Sequence, residues 1–197
     1  MTAQIPDSFL LDISEFSLVG IKGNGLFNPE QFGIRPIGMS SDCWRGYRCL
    51  YTLKNDKLLL DELYLSLGTL DGRKFISEDG PIINGVKPSS PPNEQFTFNN
   101  TYENLGLNLN FSGGLLIGRE FIEELYVHMG FHPAWKYREV FELLFDTGKL
   151  IEKRDVSNAM QEFREEMVKY PMRPGYEASE EEIKSWIEST FSLDYSF

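Results

Sequence analysis

The stretch from Cys43 to Leu67 constrains the fold more than any other part of the chain. An aromatic-rich run, Trp44-Arg-Gly-Tyr47-Arg-Cys49-Leu50-Tyr51-Thr-Leu53, is followed by Lys54-Asn55-Asp56 and then by Lys57-Leu-Leu-Leu-Asp-Glu-Leu-Tyr-Leu-Ser-Leu67. Two β-prone runs around a short Asn/Asp turn predict a hairpin. In the second run Leu59, Asp61, Leu63, Leu65 and Leu67 alternate with Leu58, Leu60, Glu62, Tyr64 and Ser66, so neither face is wholly polar. A hairpin with two apolar faces belongs inside a sheet, with neighbours on both sides.

The rest of the first two-thirds also reads as strands and turns. Asn28-Pro29 suits the cap and first position of one helical turn over 28–32. Gly20-Ile-Lys-Gly23-Asn-Gly25 reads as a flexible turn between strands, because a phosphate loop would end in Lys-Ser/Thr and open a helix. Between Gly68 and Gln95 the pairs Asp71-Gly72, Gly80-Pro81 and Asn84-Gly85 and the prolines at 88, 91 and 92 predict a surface loop, where binding residues often sit. Phe96-Thr-Phe98 resumes the strands, and Leu105, Leu107, Leu109 and Phe111 recur at period two. Leu115-Leu-Ile117 and 124–128 complete the β-rich part, although 120–129 is also compatible with a helix.

After Pro133 the spacing turns helical. Trp135, Val140, Phe141, Leu144 and Phe145 fall near a 3.6-residue period, and Gly148 suits a C-terminal cap. A second helix is expected from Ser157, with Met160, Phe163, Met167 and Val168 inward, ending before Pro171. Ser179-Glu-Glu-Glu182 is a capping box, and Ile183, Trp186, Ile187, Thr190 and Phe191 form one stripe behind it. The expected architecture is therefore a single α+β domain over 1–197: an antiparallel sheet through 1–130, with the helical segment 131–197 packed on one face or end.

Charge narrows the function classes. Thirty acidic against 19 basic side chains leave a net charge of −11. Nucleic-acid binding rests on Lys and Arg neutralising phosphates, so neither that activity nor docking on an anionic membrane is expected. The longest uncharged run, 104–118, is too short and too polar to cross a bilayer. Asp7 and Asp12 sit where a secretory leader would be apolar. Cys43 and Cys49, read on one strand about 20 Å apart, cannot pair, which suits a reducing cytoplasm.

Motifs for catalysis are missing. The chain lacks a Gly-x-Ser-x-Gly elbow and both glycine-rich nucleotide signatures. His128 and His132 have a spacing seen in zinc sites, but Gly130 and Pro133 break the helix such a site needs, so no metal and no cofactor is expected. A Cys–His nucleophile would need contact in space that nothing in the sequence supplies. The paired acids at 61–62, 123–124 and 165–166 read as solvated surface.

Two aromatic corners remain. In Ser40-Ser-Asp-Cys-Trp-Arg-Gly-Tyr-Arg48, the candidate binding residues are Trp44, Arg45, Tyr47 and Arg48, the types that anchor interfaces. The competing reading puts Trp44 in the core, with Gly46 marking a bulge or close packing. Phe131-His-Pro-Ala-Trp135-Lys-Tyr137 adds Trp135 as a further binding candidate, or as a hydrophobic staple. The composition resembles that of bacterial toxin-immunity proteins, small acidic α+β domains. The expected function is a non-enzymatic cytoplasmic binding protein, an inhibitor, immunity or adaptor domain, whose net charge of −11 steers it to a basic protein partner. The alternative is a hydrolase or other enzyme with a pocket lined by carboxylates and histidine.

Overall fold

The computed structural model describes residues 2–72, 74–90, 98–169, 173–175 and 177–195. Its strands are β1 (Ser8–Leu11), β2 (Ser14–Asn24), β3 (Tyr47–Lys54), β4 (Lys57–Leu65), β5 (Gly68–Asp71), β6 (Lys74–Ser77), β7 (Asn100–Tyr102), β8 (Leu107–Asn108), β9 (Ser112–Phe121), β10 (Tyr137–Asp146) and β11 (Lys149–Asp155). Two helices follow, α1 (Ser157–Met167) and α2 (Glu180–Phe191). The architecture is α+β, a large and mostly antiparallel sheet followed by C-terminal helices.

The predicted hairpin is present. β3 and β4 pair antiparallel from Tyr47–Leu65 to Lys54–Lys57, turning through Asn55 and Asp56, which both have positive φ. Such a turn matches the twist of the strands it joins. The sheet runs β11-β10-β9-β2-β1-β3-β4, and β4 meets β11 again at Lys57 and Lys149. Bonds from Leu58 N to Gly148 O (2.8 Å) and from Leu150 N to Asp56 O (2.7 Å) secure that closure. The sheet thus curls into a barrel in which, among the described strands, only β1 and β3 run parallel. Its interior is filled by Phe9, Leu18, Tyr51, Leu60, Phe111, Leu115, Ile117 and Leu143, among others, none more than 1% exposed. Each such side chain contributes about 1.5–3 kcal/mol by leaving water.

A second apolar layer lies outside the barrel. Val19, Leu116 and Val140, on the outer faces of β2, β9 and β10, pack under Leu125, Trp135 and Met160. Because β10 is apolar on both faces, it imitates helical spacing, and this corrects the predicted helix from Pro133 to Gly148. Leu143 and Phe145 enter the barrel while Val140 faces the outer layer, with a register irregularity at Leu144/Phe145. Thr147 and Gly148 form the β10–β11 turn rather than a helix cap. The helical segment accordingly starts at 157, not 131, and the strands reach 155 rather than 130.

Other expectations divide. Pro29–Phe32 is a 3-10 turn with Asn28 capping Glu30 N at 3.0 Å, and the Ser179/Glu182 capping box is formed. Residues 20–24 are the end of β2, paired with β9, instead of a free turn. The 68–90 excursion contains the β5–β6 hairpin, and the expected strand at 96–98 lies largely outside the described residues. Of 105–111 only Leu107 and Asn108 join the ladder, although Leu105, Leu109 and Phe111 are buried as their alternation requires. Residues 123–125 form a 3-10 turn, and no strand follows over 124–128. Cys43 precedes β3 in a turn; both cysteines are buried and free. Met160 is buried on α1, but Phe163 and Val168 are about half exposed rather than inward.

Candidate functional site

The two aromatic corners come together. Arg45 reaches inward to Asp7, donating from Nη1 to Oδ2 at 3.0 Å and from Nη2 to Oδ1 at 2.6 Å. Asp7 Oδ1 also accepts Cys49 N at 2.6 Å, which ties the pair to β3. The guanidinium carbon lies 4.7 Å from the Tyr47 ring centre and 5.8 Å from that of Phe131, which belongs to the second corner. Burial opposes the charge on Arg45, but Asp7 outweighs it and holds the guanidinium above the usual arginine range. Gly46 has φ +70°, and a side chain there would fall 2.5 Å from Ile37 O. The close-packing reading therefore holds for Gly46, whereas Trp44 is outside the core, 48% exposed.

Trp44 stacks on Phe191, at the end of α2, with ring centres 4.9 Å apart and planes at 16°. Further links hold α2 and the tail after it: Phe131 N donates to Thr190 O (2.9 Å), Ile21 N to Leu193 O (2.7 Å) and Tyr195 Oη to Glu142 Oε1 (3.0 Å). At Gly130, with φ +66°, a Cβ would stand 2.3 Å from Thr190 O, so only glycine admits α2 this closely. Arg48 takes no part in the cluster. Its Nη2 donates to Ser8 Oγ (2.5 Å) and Glu15 Oε1 (3.0 Å) at the β1–β2 hairpin.

Trp135 is buried in the 3-10 turn Ala134–Lys136. Arg164 of α1 fixes that turn, Nε donating to Trp135 O and Nη2 to Tyr137 O, each at 2.6 Å. Trp135, Phe131, Met129, Lys136, Met167 and Trp186 are among the residues lining a cavity of about 220 Å³ between this turn and the two helices. Lys136 is 5% exposed, and burial pulls its ammonium down to about 8. Among the described residues no carboxylate forms an ion pair with it.

The histidines have separate settings. His128 meets the Tyr126 ring edge-to-face at 4.8 Å, while His132 lies 4.6 Å from Phe121 and 5.1 Å from Tyr126. Both ring nitrogens of His132 are buried and make no hydrogen bond. Among the described residues no cluster of three His, Cys, Asp or Glu side chains is placed to hold a metal.

Burial, and next the charge of Lys136, lower the His132 pKa from 6.5 to about 4. The unfolded chain thus takes up this proton at higher pH than the folded one, so stability falls as pH drops from 6.5 towards about 4 and levels off below. At about 1.4 kcal/mol per pH unit the loss reaches at most roughly 3 kcal/mol. Urea titrations should show His132→Leu losing less stability between pH 7 and 4.5 than the parent; equal losses would refute this origin.

Of the residues singled out from the sequence, Arg45 lies over the Tyr47 and Phe131 rings, Trp44 stacks on Phe191, Trp135 lines a cavity together with Phe131, and Arg48 is placed elsewhere. Sequence reasoning passed over Lys136, whose only signal was one lysine between Trp135 and Tyr137, and Asp7, which lies 38 residues from Arg45 in the chain. Comparisons with protein-family models, curated proteins and solved structures find no match for the chain.

Proposed function

We infer that the protein is a non-enzymatic binding protein, of inhibitor or immunity type, and that its helical flank docks a basic protein partner. One observation carries this reading: Phe163 on α1, Val168 just after it, and Ile183 and Ile187 on α2 are 37–50% exposed in the most acidic part of the chain. Residues 157–195 hold nine acidic against four basic side chains. Apolar anchors within a field of one sign suit a partner of the opposite sign, because the field speeds encounter while the anchors slow release.

Among the described residues the cavity lining offers Lys136, hydroxyls and apolar walls, which suits it to holding a ligand. Two unpaired buried thiols suit the cytoplasm, and among the described residues no helix is long and apolar enough to cross a membrane. Acidity argues against nucleic acid as the partner.

Affinity capture from the source cell, with the parent and an Ile183→Glu/Ile187→Glu variant side by side, tests the reading. The variant should keep the parent's circular dichroism, because no α2 residue is fully buried, and should retain at least tenfold less of the captured protein. Equal capture by both chains would overturn it.

A further inference from the structure

We propose that the cavity between the 134–136 turn and the helices is a binding site for a small apolar carboxylate, with Lys136 Nζ as its counter-ion. Lys136 is 5% exposed as a residue and, among the described residues, pairs with no carboxylate, so an entering anion would gain an ion pair with an ammonium that has little water around it. Among the described residues Lys136 is the one charged residue on the lining. The ammonium sits 5.4 Å from the ring centre of Trp135, which is itself a lining residue.

The remaining lining fixes the ligand class. Ser189 Oγ and Thr190 Oγ1 already donate to Trp186 O, at 2.8 and 2.7 Å, and Ser192 Oγ donates to Asp194 Oδ2 at 3.1 Å. These hydroxyl protons are therefore engaged, and one cation is left to receive the anion. One cation balances the single charge of a monocarboxylate but not the two of a phosphate dianion. Trp135, Trp186, Phe131, Met129 and Met167 supply apolar walls for the rest of the molecule. A volume of about 220 Å³ is below the ~300 Å³ at which drug-sized pockets begin, so the body is one ring or a short chain.

3-Phenylpropionate is a suitable probe, with 3-phenylpropanamide as its uncharged counterpart, each titrated into the full chain and followed by amide chemical shifts. The acid should bind with a Kd on the order of 1 mM, as a ligand this small allows. Shifts should centre on 127–136 and 186–192, the amide should bind at least tenfold more weakly, and Lys136→Met should lose at least tenfold in affinity for the acid. Lys136→Met keeps the buried stem and removes the charge, so its thermal midpoint without probe should match or exceed the parent's. Acid and amide binding the parent equally would overturn the proposal, and that comparison needs no variant. So would undiminished binding by a folded Lys136→Met, shifts centred elsewhere, or no saturable binding at about 10 mM acid.

Discussion

Replacing Asp7 by alanine should cost about 3–5 kcal/mol of folding stability, the range for removing one member of a buried ion pair. The Asp7 side chain is 5% exposed and that of Arg45 24%, so the abandoned guanidinium has little access to water. The same substitution removes the acceptor of Cys49 N, inside the barrel wall. The pair Arg48–Glu15, at 35% and 58% exposure, provides the internal contrast: Glu15→Ala should cost under about 1 kcal/mol. Equilibrium urea unfolding measures both. Adding Arg45→Met to Asp7→Ala should recover part of the loss, because the unpaired charge goes with it. If Asp7→Ala cost no more than Glu15→Ala, Arg45 would not be internally committed and would again be available to a partner.

A second large effect is expected at Phe111→Ala, about 3–5 kcal/mol. Phe111 is wholly buried, meets Phe145 edge-to-face at 5.9 Å and lies beside the barrel closure, its carbonyl accepting Gly148 N at 2.7 Å. Truncation leaves a void that surrounding strands cannot fill without breaking the ladder. A cost below about 1.5 kcal/mol would mean a loosely filled barrel, and the interior would then compete with the outer cavity as a ligand site.

How much was legible in the sequence depends on whether each signal was local. The β3–β4 hairpin, the Asn28 cap and the Ser179/Glu182 capping box were readable because each is set by residues within a few positions of one another. β10 was misread because a strand buried on both faces loses its alternation. Val140, Phe141, Leu144 and Phe145 then carry the i, i+1, i+4, i+5 spacing of a helix face. The burial of Phe163 and Val168 was overestimated, since an apolar stripe does not say whether this chain supplies what covers it.

The site was half legible for the same reason. Aromatic and arginine-rich corners announce themselves by composition, so Trp44, Arg45, Tyr47 and Trp135 were found. Their roles were not, because Asp7, Phe131 and Phe191 come from distant segments. Lys136 becomes conspicuous only when the fold puts it on a cavity whose described lining residues include no carboxylate.

The central claim, that the acidic helical flank receives a cationic partner, is tested most directly by the Kd of the captured complex against salt. It should weaken about tenfold or more between about 50 mM and 500 mM NaCl, as charge-steered binding does. A Kd that stays constant over that range would contradict it.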